Sequence, residues 1–142
     1  MEEGPPGAGE VRPVRRAPGR RGAPGRGLAR RRGTVTFEDW ERERVRRAVG
    51  VVATLDADGS PRAVPVLVSI EGDGLRFETD PGSRKYRNLS RDPRVAVVVQ
   101  GPPKWGVSVQ GRAEVLSDGA TGGQAQIRVV PATKASWRRR EG

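Results

Sequence analysis

The chain is predicted to be mainly β: a six-stranded antiparallel barrel with an N-terminal helix and a short helix between the third and fourth strands. Three observations carry this. Val-rich runs recur about every ten residues. Turn sequences such as "DADG", "EGDG" and "GPPK" separate them. Only the chain beyond residue 34 holds enough apolar residues to build a core.

Residues 1–34 contain nine Arg, three Glu, eight Gly and five Pro. That composition cannot bury enough apolar surface to offset the entropy of ordering, so this segment is expected to be a disordered basic tail and 35–142 the folded domain. The tail carries most of the formal net charge of +10. A basic tail can bind nucleic acid by releasing counterions, and a basic nucleic-acid-binding protein is the reading from another functional class. The tail offers no aromatic residue for base stacking, so nucleic acid is not the expected partner.

The first folded element is "TFEDWERERVRRAVG", read as a helix with Thr36 as N-cap and Gly50 as its stop. Acids lead and arginines follow, as the helix dipole favours. Three strands come next, within "GVVATLDADGSPRAVPVLVSIEGDGLRFET". Val64, Val66 and Val68 alternate with Ala63, Pro65 and Leu67, so both faces of the second strand read as apolar. Pro65 cannot donate to a ladder, which predicts an interruption with backbone groups free for another partner. "SRKYRNLSR" is a short helix capped by Ser83 and ended at Asp92-Pro93. "RVAVVVQ" and "WGVSVQGRAEVLS" are the fourth and fifth strands, with Gly111 marking a bulge or bend. "AQIRVV" is the sixth, and Pro131 opens a terminal segment.

The residue inventory excludes much. Without Cys there is no disulfide or thiolate chemistry, and without His there is no His-based triad or His-ligated metal. No metal site is expected. No apolar run approaches the roughly 18 residues of a membrane span, and the N-terminus lacks the apolar core of a signal peptide. A cytoplasmic protein is the expectation.

One stretch resists a purely structural explanation. Arg84 and Lys85 fall in the first turn of the short helix, where cations oppose the dipole. A helix N-terminus with free N–H groups suits an anion, and a bound phosphate would resolve the conflict.

Four motifs in this order, "DGSPRAVPV", "FETDPGSRKYRNLSRDPRVAVVV", "GRAEV" and "IRVVPATKASW", resemble the pyridoxamine-5′-phosphate-oxidase-like, FMN-binding split-barrel superfamily, above all its deazaflavin (coenzyme F420) branch. The resemblance covers about residues 37–137. It implies a split β-barrel and a homodimer with cofactor at the subunit interface. It also implies an oxidoreductase in which coenzyme F420 transfers a hydride to a small organic substrate, with an FMN-binding oxidoreductase or flavin carrier as the alternative. Arg62, Ala63, Val64, Pro65 and Val66 would line the ring and ribityl region, and Thr79, Ser83, Arg84 and Lys85 would grip the phosphate. Asn88 would face the same tail, and Trp137 would contribute from the partner chain. The oxidase proper carries a glutamine where Gly106 stands and uses a histidine that this chain lacks, so vitamin B6 phosphate is not the expected substrate. No catalytic acid or base is indicated, and Tyr86 or solvent would supply a proton.

A chain beginning at Thr34 is expected to keep the thermal midpoint and cofactor affinity of the full-length protein. A clear loss of either in melting or titration experiments would mean that the tail docks on the domain.

Overall fold

In the computed structural model the described residues are 35–139, so the basic tail lies outside them. The elements run α1 (Asp39–Arg44), β1 (Ala48–Leu55), β2 (Pro61–Glu71), β3 (Gly74–Thr79), α2 (Arg84–Arg91), β4 (Arg94–Gly101), β5 (Trp105–Ser117) and β6 (Ala125–Arg138). The six strands close in the order β1-β2-β3-β6-β5-β4, antiparallel throughout. This is the barrel the turn spacing predicts.

Strand periodicity fills the interior. Val95, Val97 and Val99 of β4 point inward, as do Val107 and Val109 of β5 and Ile127 and Val129 of β6. Val52, Val68, Leu75 and Phe77 complete the ring, and Leu89 of α2 joins the same cluster. Each fully buried aliphatic side chain contributes on the order of 1.5–3 kcal/mol. β-branched valine suits these positions because its restricted χ1 fits a pleated surface.

Five local expectations are corrected. The N-terminal helix is a single short turn-and-a-half capped by Glu38, whose side chain and that of Glu41 form a reciprocal capping box. Ala48 to Gly50 belong to β1, not to the helix, because β2 and β4 pair with them. Strand β6 continues through Pro131 to Arg138, because β5 stays paired along that length. The bulge expected at Gly111 is present: Gly111 sits opposite Pro131 at a register shift, and a side chain there would collide with the carbonyl of Val130.

The other two corrections concern β2. Only one of its faces is buried: Ala63, Pro65 and Leu67 point outward and are exposed, whereas Val64 and Val66 pack against the core. Nor does Pro65 interrupt the ladder with β1, whose register runs unbroken from Pro61 to Val68. The Ile70 amide donates to Val45 on the β1 side, so alternation directs the odd residues of β2 to the opposite edge. β3 pairs with that edge only at Ser69–Glu71. Pro65 therefore lies on an open edge, where its missing donor costs nothing.

Helix α1 is tied to β6 by a buried ion pair. The Lys134 ammonium donates to Glu41 Oε1 at 2.8 Å and Oε2 at 3.0 Å, and to the Thr36 carbonyl at 2.8 Å. Glu41 is fully buried and also accepts the Glu38 amide at 2.7 Å. Burial alone would raise its pKa. The hydrogen bonds from Lys134, Ser136 and the Glu38 amide outweigh that, and the net shift is downward. Its contribution to stability is therefore full above the ordinary value near 4.5 and is lost as pH falls below it. Lys134→Met is expected to cost about 3 kcal/mol in denaturant unfolding, because it strands a buried carboxylate. Glu41→Gln should flatten the loss of stability between about pH 5 and 3 seen in the wild type. An unchanged acid limb would remove Glu41 from this role.

Candidate functional site

The candidate site forms where the N-terminus of α2 meets the ends of β1 and β3. Thr79 is the last residue of β3, and Asp80–Ser83 turns the chain into α2. Asp80 closes that turn by accepting the Gly82 amide at 2.8 Å and, through its carbonyl, the Ser83 amide at 2.9 Å. Ser83 Oγ caps the helix by accepting the Tyr86 amide at 3.2 Å. The same hydroxyl lies 2.9 Å from Thr79 Oγ1. Two hydroxyls thus meet beside the first turn of an eight-residue helix that has no acid in that turn.

Cations surround this point. Arg84 and Lys85 occupy the first turn, as the sequence predicts. Lys85 makes no ion pair among the described residues. Arg62 reaches in from β2, and its Nε donates to both carboxylate oxygens of Asp56, at 3.0 and 3.3 Å. Arg84 Nη1 lies 3.9 Å from Asp56 Oδ2. The Arg62 hydrogen bond, then Asn88 and the neighbouring guanidinium charges, hold the Asp56 carboxyl below the usual carboxylate range.

Asn88 is buried and fully engaged. Its Nδ2 donates to Thr54 Oγ1 at 3.0 Å and Asp56 Oδ1 at 2.9 Å, and its Oδ1 accepts from Arg91 at 3.0 Å. Tyr86 packs against the core.

The remaining candidates extend from this point. Ala63 and Pro65 lie on the outer, exposed face of β2, beside Val51 and Ala53 of β1. Beyond the Ser69–Arg76 pair β2 and β3 diverge, and an open cleft of about 450 Å³ occupies the gap. Leu67, Ser69, Arg76 and Glu78 line it, and Glu78 directly precedes Thr79. Trp137 is not gathered here. It faces Gly106 across the β5–β6 ladder, with its indole over the glycine. Thr79 pairs with Ala125, so twelve residues of β6 separate the cradle from Trp137, roughly 40 Å of strand path at about 3.3 Å per residue.

Asp56 is the site residue that sequence reasoning missed. It opens "DADG", where an acid is ordinary turn chemistry; Arg62 is only six residues on, but Arg84 and Asn88 lie about thirty residues away in sequence.

The set fits a phosphate group. Two hydroxyls, two guanidinium groups, one ammonium and a helix N-terminus are charge-assisted donors of the kind phosphate oxygens accept. No cluster of potential metal ligands occurs among the described residues. No helix among them is long and apolar enough to cross a membrane.

Comparison with known proteins identifies the fold and the family. Over 88 residues the chain is 33% identical to a pyridoxine/pyridoxamine 5′-phosphate oxidase of Cupriavidus taiwanensis, covering 61% of this chain and 42% of that protein. A protein of the same name from Thermobifida fusca is 44% identical over 70 residues, 48% of this chain and 32% of the relative. The chain thus spans less than half the length of these curated relatives. Among solved structures, an F420 reductase superimposes with a TM-score of 0.60 at 23% identity, over 70% of this chain and 98% of that one, a likeness of fold. The family model of pyridoxamine 5′-phosphate oxidase matches residues 38–137, most of the chain and all the elements that build the site, so the chain belongs to the pyridoxamine 5′-phosphate oxidase family.

Proposed function

We propose that this protein is an oxidoreductase that holds a phosphate-bearing, flavin-type cofactor with its phosphate at Thr79, Ser83, Arg84, Lys85 and Arg62. The observation that carries the reading is the pair of helix-start cations, Arg84 and Lys85, beside two converging hydroxyls. Cations there oppose the helix dipole, and an anionic ligand relieves that conflict. Coenzyme F420 is the cofactor of first choice, supported by the motif resemblance and by the fold likeness to an F420 reductase. FMN is the second, favoured by relatives named pyridoxine/pyridoxamine 5′-phosphate oxidase.

When bound, the cofactor supplies hydride-transfer chemistry. The protein's residues bind and orient it. The open edge of β2, at Arg62 to Val66, offers unpaired backbone groups to a planar ring, and Ala63 and Pro65 are short enough to allow close approach. Asn88 keeps α2 in register with the end of β1 through Thr54. The substrate is a small organic molecule.

The site is proposed to be completed by a second copy of the chain. Val49, Val51 and Leu67 are exposed at 66%, 39% and 48%, and cross-strand pairing sets them beside Pro65, Ala63 and Ala53. A contiguous apolar face of this kind marks an interaction surface. It adjoins the cleft, which shares Leu67. Trp137 sits at the far end of β6 from Thr79, and its proposed role is with the partner's cofactor.

Two outcomes test the reading. Arg84→Ala with Lys85→Ala should weaken the preferred cofactor by about two orders of magnitude or more, since charge-assisted contacts contribute about 1.5–3 kcal/mol each. Melting of the ligand-free protein should stay level or rise slightly. Coenzyme F420 and FMN are titrated separately, and the tighter ligand identifies the cofactor. Unchanged affinity in the double variant, or no binding by wild type, overturns the cradle. For the dimer, light scattering at micromolar concentration with cofactor present should give twice the chain mass, and Leu67→Glu should shift it to monomer. A monomeric wild type contradicts the shared interface.

A further inference from the structure

We propose that Asp56 is the positioning residue of the phosphate cradle, a role that rests on the cofactor reading above. An acid beside an anion site is electrostatically adverse, so its presence there calls for a reason. The geometry supplies one. Asp56 engages Arg62 through Nε, and neither Nη of Arg62 has a partner among the described residues. Anchored by that edge, the planar guanidinium is held in one orientation with its terminal donors unclaimed. The same carboxylate stands 3.9 Å from Arg84, near enough to draw it toward Arg62 and loose enough to release it to a ligand.

The carboxylate is itself fixed. The Asp56 amide donates to the Ser60 carbonyl at 2.8 Å, and its carbonyl accepts the Gly59 amide at 2.8 Å, closing the β1–β2 turn. Its Oδ1 accepts the buried Asn88 amide, whose other partners are Thr54 and Arg91. Arg91 in turn donates to the Leu55 carbonyl at 2.6 Å. The network locks the end of β1 to α2 and leaves one side chain, Asp56, aimed at the arginines. Arg62, Arg84 and Lys85 would repel one another if drawn together unaided. Asp56 offsets one of the three charges and leaves a net positive excess for an anionic phosphate group.

The test turns on the sign of one substitution. Asp56→Asn makes the site more positive, so if the acid only repels phosphate, binding tightens. If Asp56 positions the arginines, binding weakens although the charge improves. FMN and riboflavin, and coenzyme F420 and its phosphate-free deazaflavin core, are titrated into wild type and Asp56→Asn, with melting followed in parallel. The expected result is a loss of about tenfold or more for the phosphate-bearing member of the pair that binds, and less than about twofold for its phosphate-free counterpart. Unchanged or tighter phosphate-ligand binding overturns the proposal, as does an equal loss for both members of a pair, which signals only damaged structure. Should Asp56→Asn fail to fold, Arg62→Lys keeps the charge but removes the anchored Nε edge, and the same split is expected and the same outcomes overturn it. A wild type that binds neither phosphate ligand defeats the cofactor reading and this inference with it. A wild type that binds while the variant is unaffected defeats this inference alone.

Discussion

The barrel depends on β6 serving two neighbours at once. Its first residues pair with β3, and nearly its whole length pairs with β5. Without that double pairing, β3 and β5 would present open edges and the valine interior would be exposed to water. The long ladder is possible only because it bends. Register shifts at Gln110/Gly111 and Val115/Ser117 supply the coiling that a strand pair of this length needs to wrap a closed core. The glycine at the first shift is required sterically, since the facing carbonyl occupies the space of a side chain.

Closure at β6 creates a complementary gap elsewhere. β3 is short and is drawn toward β6, so it can stay with β2 for only three residues. The cleft between β2 and β3 and the open edge of β2 are thus consequences of how the barrel closes. The end of β3 then delivers Thr79 to the start of α2, and the packing of Leu89 and Asn88 fixes how that helix sits. The proposed phosphate cradle lies where a strand end, a helix N-terminus and the β1–β2 turn converge. The strand end and the helix start follow one another in sequence, and backbone pairing plus one buried amide bring the distant β1–β2 turn to them.

The same economy applies to charge. Glu41 and Lys134 form a buried pair whose partners satisfy each other, and they fasten the N-terminal segment to the far half of β6. At the cradle the balance is left incomplete: Asp56 faces two arginines, and Lys85 stands without an acid. A complete pair is a structural fastening, whereas an excess of oriented cations is what the proposed phosphate site requires.

Alternation and turn chemistry are local properties, so the sequence by itself determined six strands, their order along the chain, the helix at Ser83 and the residues of its basic first turn. Ser83, Arg84 and Lys85 were legible as a capped helix start because a helix cap constrains its own surroundings, whereas Thr79 was named only by the family resemblance. The shortness of α1, the extension of β6 past Pro131 and the exposed outer face of β2 were not legible. Each depends on which strand lies alongside, and propensity yields to pairing where a ladder is available. Asp56 shows the limit most plainly. Alone it is a turn acid facing Arg62 across its own hairpin, and it joins the candidate site only when the fold sets it against Arg84 and Asn88. Long-range contacts of that kind are decided by closure of the sheet, because only closure fixes which distant side chains share one small volume.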